Sequence, residues 1–275
     1  MEIYKIMTYK EITGKEELLT SMKIIYGTKY EECYPTNPVE NPDRVRLSAM
    51  ELKEAGYEFV EPIAASDEDV AKVHGREHIE RVKHRGLYEA ATFAAGGAIA
   101  AADLAMQGEP TFALIRPPGH HASANRAWGL CFFNNMAIAV QKIRPTAEKI
   151  LIIDIDLHFG DGTVSIFRGD EKVKIVNPGS VDMEFNYLSL DSSGYINQVE
   201  EAFENFDYDV IGVSAGFDTY IEDWGKLLYT EDYERIGKVI KRGSISCGGR
   251  RFAIFEGGYH QNLGYNIKKF VDGFA

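Results

Sequence analysis

The chain has 275 residues, 45% of them hydrophobic and 26% charged, which fits one large α/β domain or two small ones. Such a chain buries about three quarters of its unfolded surface without disulfide staples, and Cys33, Cys131 and Cys247, odd in number and with no CxxC pair, argue against a disulfide framework or thiolate metal knuckle. A net charge of -12 speaks against nucleic acid or an anionic membrane as a direct partner and weakly favours cationic substrates.

The first 20 residues are polar and charged, without the apolar core of a signal peptide. No apolar run reaches the ~18 residues needed to span a bilayer. With the reduced cysteines, this points to the cytoplasm. No repeat, low-complexity tract or Gly/Ser linker divides the sequence, so the expectation is one domain over 1–275, with 1–21 as an amino-terminal extension.

In chain order, residues 22–26 read as a first strand. A helix over 42–55 opens on Pro42 and Asp43, good first-turn residues, and stops at Gly56. Residues 68–83 and 88–106 read as helices, the second Ala-rich, apolar nearly all round and therefore buried. Strand-length apolar runs follow at 111–115, 149–155, 173–176, 209–214 and 251–255, with helical patterns at 134–143, 198–205 and 231–241. Continuously apolar strands alternating with helices imply a parallel sheet covered on both faces, which binds ligands beyond the carboxyl ends of its strands.

Every polar cluster of interest sits at such an end. Arg116-Pro117-Pro118-Gly119-His120-His121 follows the strand ending at Ile115. Two surface or capping histidines would read the same way, but the Pro-Pro-Gly turn fixes both imidazoles at the strand end. The uniformly apolar run 149–153 gives way to Asp154, Asp156, His158 and Asp161. With a period of two, the first three point to one side while the chain stays extended. Burying them together is costly unless a cation neutralises the carboxylates; an Asp–His pair capping neighbouring loops is the plainer alternative. Asp218 closes the segment Ser214-Ala215-Gly216-Phe217-Asp218. By itself it reads as a turn cap; beside Asp156 and His158 it completes a two-carboxylate, one-histidine set with open positions, the pattern of a catalytic zinc site. Phe255-Glu256-Gly257-Gly258-Tyr259-His260 turns tightly after the last strand and presents Tyr259, which would otherwise read as a core tyrosine.

In this order, from about Met22 onward, these segments resemble the histone deacetylase and acetylpolyamine amidohydrolase superfamily. Pro42-Asp43-Arg44, Val73-His74, Tyr88-Glu89-Ala90-Ala91 and the stretch from Gly129 to Asn135 support the match. The resemblance implies an arginase-like three-layer α/β/α domain with a mostly parallel sheet of roughly eight strands. It implies Asp156, His158 and Asp218 as ligands of Zn2+, with Fe2+ or Co2+ also compatible. It makes His121, buttressed by Asp161, the general base and acid, with His120, buttressed by Asp154, as electrostatic support. Tyr259 becomes the oxyanion donor, and a structural K+ is implied at the backbone near Asp154, Asp156 and His158. The reaction so implied is hydrolysis of an N-acyl amide of an acetyl-lysine, an acetylpolyamine or a related small amine.

Four departures bear on the substrate, one being the nearly absent loop between Arg85 and Tyr88, a region that helps relatives hold substrate. Leu130 follows Gly129 where family members usually carry a tunnel aromatic. The loop over 177–189 is short, with Phe185 and Tyr187 as its aromatics. Asp223-Trp224-Gly225 replaces a frequent Asp-Pro-Leu-Gly, making Trp224 a rim residue or a core one. With Gly129, Leu130 and Trp224 as the candidate pocket, a shallow site favours small acylated amines. Two other readings remain: an acyl-amine binding module without catalysis, and a dinuclear-manganese ureohydrolase, against which stands Gly160 in place of a second bridging acid.

Overall fold

A computed structural model describes residues 22–182, 184 and 186–275. The extension 1–21 and Phe185 lie outside the described residues. In chain order the elements are β1 (Lys23–Ile25), α1 (Asp43–Glu54), β2 (Glu58–Val60), α2 (Asp67–Ala71), α3 (Arg76–His84), α4 (Tyr88–Met106), β3 (Thr111–Ala113), α5 (Asn135–Ile143), β4 (Ile150–Asp154), α6 (Asp161–Ile166), β5 (Val173–Val176), α7 (Ser192–Glu201), β6 (Val210–Ala215), α8 (Thr230–Gly243), β7 (Arg251–Phe255) and α9 (Leu263–Phe274). The seven strands form one sheet in the order β2-β1-β3-β7-β6-β4-β5, every pair parallel. Among the described residues the sheet thus has seven strands, against the roughly eight expected.

The apolar runs become strands because only a doubly covered parallel sheet buries such segments on both faces. β4, β6 and β7 are buried along their whole length. The Ala-rich α4 packs with α5, its small side chains allowing close approach to the sheet, while α9 packs with α8 and α1 and sets Phe270 6.1 Å from Phe112 of β3.

Differences from the sequence reading have local causes. The helix expected over 68–83 is broken into α2 and α3. Around the break the Gly75 N–H donates to the Ala124 carbonyl, and the His74 ring bonds to the Ser123 carbonyl and to the Asn134 N–H. Contacts with a distant loop have replaced helical hydrogen bonds. The helix expected over 198–205 starts earlier, where Asp191 caps it by accepting the Gly194 N–H at 2.7 Å. β2, a three-residue partly exposed edge strand, and α6 and α9 carry patterns too short or too mixed to read in advance.

The strand order decides where a site can form. β3, β7, β6 and β4 are neighbours, and they are the four strands whose carboxyl ends carry the polar clusters. Asp154 stands opposite Ser214, and Ala215 opposite Phe255, so these ends stop level with one another.

Candidate metal centre and hydrolytic site

Beyond the strand ends, backbone and side-chain hydrogen bonds lock the four segments together. The Leu157 N–H donates to Asp218 Oδ1 at 2.9 Å, the Gly257 N–H to Asp156 Oδ2 at 2.8 Å, and the Phe217 N–H to the Gly257 carbonyl at 3.0 Å. Asp156, His158 and Asp218 each offer a ligand atom within 4.8 Å of the other two. His158 Nδ1 lies 3.1 Å from Asp156 Oδ1 and 3.0 Å from Asp218 Oδ2. Simple alternation does not gather them: the strand ends at Asp154 and a bend comes next, so Asp154 turns to His120 while Asp156 and His158 face Asp218.

The electrostatics of this group suit a cation. Asp218 is fully buried, and its Oδ2, although 3.0 Å from His158 Nδ1, meets no well-aligned donor among the described residues. Burial and the neighbouring Asp156 push its pKa up to about 6, whereas Asp156, despite its own burial, is held below the usual carboxylate range by His120 and His158. Burial works against the charge on His158, yet the two carboxylates raise its pKa to about 10. A buried carboxylate oxygen with no well-aligned donor, beside a second carboxylate and an imidazole, fits the donor set of a divalent metal. His120, Cys131 and Glu256 also converge, but Glu256 Oε2 already accepts the Gly119 N–H at 2.6 Å and the His120 N–H at 3.2 Å. Burial raises the Cys131 thiol well above its ordinary pKa, disfavouring the thiolate a metal needs.

The twin histidines stand side by side, rings 4.0 Å apart, and differ in charge. His120 Nδ1 bonds Asp154 Oδ2 at 3.0 Å; burial alone would lower its pKa, but Asp154 and Asp156 outweigh that and hold it well above the ordinary value. A cation between Asp156 and Asp218 would oppose this rise. His121 Nδ1 bonds Asp161 Oδ1 at 2.7 Å, while burial and the charge of His120 lower its pKa to about 4. Its proton on Nδ1 therefore leaves the Nε2 lone pair as the acceptor. Both rings border a cavity of about 210 Å³ with Asp156, His158, Gly129, Leu130, Trp224 and Tyr259.

A histone deacetylase domain model matches residues 83–180. A probable deacetylase of Methanothermobacter thermautotrophicus is 31% identical over 302 residues, covering 92% of this chain and 90% of the relative. The chain belongs to the histone deacetylase and acetylpolyamine amidohydrolase superfamily. A histone deacetylase-like amidohydrolase of Pseudomonas aeruginosa is 30% identical over 72% of this chain and 65% of its own. The fold matches that of an acetylpolyamine aminohydrolase from Burkholderia pseudomallei with a TM-score of 0.80 at 22% identity, over 92% of this chain and 98% of the other.

Trp224 is a rim residue, not a core one: 52% exposed, it stacks on Tyr259 at 4.3 Å and meets His158 edge-on at 5.8 Å. Tyr187 borders a neighbouring cavity beyond Trp224. Trp128, which the sequence reading passes over, lies one residue before Gly129 and stacks on His121 at 3.9 Å. Asp223 and Arg44 have no role assigned from sequence either. Asp223 Oδ2 accepts the Tyr259 and His260 N–H groups at 2.7 and 2.9 Å, and its Oδ1 accepts the Trp224 N–H at 2.8 Å. Arg44 donates to the Glu256 and Gly258 carbonyls at 2.6 and 2.8 Å and lies 4.6 Å from the Tyr259 ring. No local pattern announces either residue, because their partners lie far away in sequence. Asp223→Ala should leave the loop N–H groups without their acceptor and cost about 1–3 kcal/mol in urea unfolding; a wild-type midpoint would show that water replaces the carboxylate.

Proposed function

We propose that the chain is one catalytic domain that hydrolyses an N-acyl amide, foremost N-acetyl, to acetate and a free amine, with Asp156, His158 and Asp218 holding Zn2+. The observation that carries this reading is the meeting of that donor set with a neutral His121 and with Tyr259 around one cavity. When bound, the cation supplies a Lewis acid that polarises the acyl carbonyl and acidifies water; the same donors also accept Fe2+ or Co2+. His121, held by Asp161, takes a proton from the attacking water at Nε2 and returns it to the departing amine nitrogen. His120, held by Asp154, supports the developing negative charge. The Tyr259 hydroxyl donates to the carbonyl oxygen as it becomes an oxyanion. Burial, opposed by Arg44, raises its pKa, which keeps that proton in place.

A cavity of about 210 Å³ suits a small acylated amine, an acetylpolyamine or the arm of an acetyl-lysine. The names of the relatives, a histone deacetylase-like amidohydrolase and an acetylpolyamine aminohydrolase, support the same substrate class. The structural K+ near Asp154, Asp156 and His158 is retained from the resemblance alone. The expectations of a cytoplasmic setting and of no direct nucleic-acid or membrane partner rest on composition, and no helix among the described residues is long and apolar enough to cross a membrane. Against the dinuclear ureohydrolase stands Gly160: a Cβ there would come within 2.2 Å of Asp154 Oδ2, leaving no room for a second bridging acid.

Two tests decide the matter. Tyr259→Phe should keep its metal and lose about 10²–10³ in turnover on an acetyl-lysine or acetylpolyamine substrate, whereas Asp218→Ala should lose both metal and activity. Metal-replete wild type that turns over none of these amides would favour the silent binding module. The second test concerns protons. With a pKa of about 10 in the metal-free chain, His158 is protonated at neutral pH and must lose that proton to coordinate. Zinc uptake should release it, and affinity should strengthen about tenfold per pH unit between roughly pH 7 and 9, measured calorimetrically in buffers of different ionisation heat. Uptake without proton release in that window would mean that His158 is already neutral there, and zinc affinity unchanged in His158→Ala would remove it from the ligand set.

A further inference from the structure

Trp128 begins a turn in which the Cys131 N–H donates to the Trp128 carbonyl at 3.0 Å. Its two central residues, Gly129 and Leu130, both lie at positive φ, 58° and 71°. Leucine enters that region only under constraint. The turn is pressed against the histidine pair: a Cβ on Gly129 would fall 2.4 Å from His121 Cδ2. What this strained turn presents is the indole. Its ring stacks on His121 at 3.9 Å with 27° between the planes. Its Nε1–H points at the Asp161 carboxylate, 3.0 Å from Oδ2 and 3.2 Å from Oδ1. Asp161 Oδ1 is the same atom that bonds His121 Nδ1. Tryptophan, aspartate and histidine thus close a triangle at the cavity wall.

We propose that Trp128 is a positioning residue for the Asp161–His121 pair, an inference that rests on His121 being the base. A carboxylate turns easily about its last torsion. With only His121 to hold it, the Asp161 carboxylate, 11% exposed, would be free to turn toward water. The indole N–H is a second fixed donor that stops this rotation, and the ring stack holds the imidazole in the plane the carboxylate demands. The indole, one-third exposed, also screens the bond between them from solvent.

The test separates ring from N–H. Trp128→Phe keeps a ring and removes the donor; Trp128→Ala removes both. Trp128→Phe should lower kcat about tenfold, the worth of a hydrogen bond to a charged group, with KM, metal content and melting temperature near wild type. Trp128→Ala should fall further. In an Asp161→Asn background the Phe substitution should add nothing, because it acts through that carboxylate. Unchanged kcat in Trp128→Phe, or a raised KM with kcat intact, would overturn the proposal. A readout independent of turnover is the His121 Nδ1–H signal in protein labelled with 15N-histidine, which should exchange faster in Trp128→Phe; equal exchange would also overturn it. Full turnover in His121→Ala would defeat the reading of the base instead, and the exchange measurement would still decide what the indole does.

Discussion

Two carboxylates buried within reach of one imidazole form the constraint around which this molecule is built. Asp156 and Asp218 are held out of water by the ends of β4 and β6. Repulsion between them is costly in a low-dielectric interior. The surrounding loops direct their backbone donors at that charge, with Leu157 giving its N–H to one carboxylate and Gly257 to the other. His158 fills the gap with a proton, and a divalent ion would fill it better. In the metal-free chain the same negative charge raises the His120 pKa, and burial together with the charge of His120 lowers that of His121.

The strand ends act as a level platform. Four adjacent parallel strands each carry one part of the site, at most eight residues beyond the strand end, so the site is anchored to the sheet. Around this platform the connections are tailored. Asp223 ties the rim tryptophan to the tyrosine loop, and Arg44 ties that loop to α1. Trp128, one residue before Gly129, supplies an aromatic wall of the cavity.

Much of this is legible in the sequence. An apolar run that turns acidic at one residue, as between Ile153 and Asp154, has few physical excuses, and the order of four such transitions carries both fold and donor set. Less legible is anything decided by partners distant in the chain. The break between α2 and α3 depends on the loop containing Ser123 and Ala124. Asp223 reads as one more acid in a loop, because its meaning lies in two N–H groups more than thirty residues away. Alternation along the chain explains too much: it groups Asp154 with Asp156 and His158, whereas the bend after β4 gives it to His120. Leu130 stands out for the aromatic it lacks, and that contrast hides the indole two positions earlier.

The position of β7 has a consequence for biosynthesis. Among the described residues it is the last strand in chain order, yet it lies between β3 and β6 near the middle of the sheet. A sheet lacking β7 would leave β3 and β6 with bare hydrogen-bonding edges lined by valine, isoleucine and phenylalanine. Such edges recruit other strands, including those of sister chains. A polypeptide interrupted before Arg251 would therefore be a sticky template rather than a smaller enzyme. The cell that makes this protein must either finish it quickly or shield it while it waits.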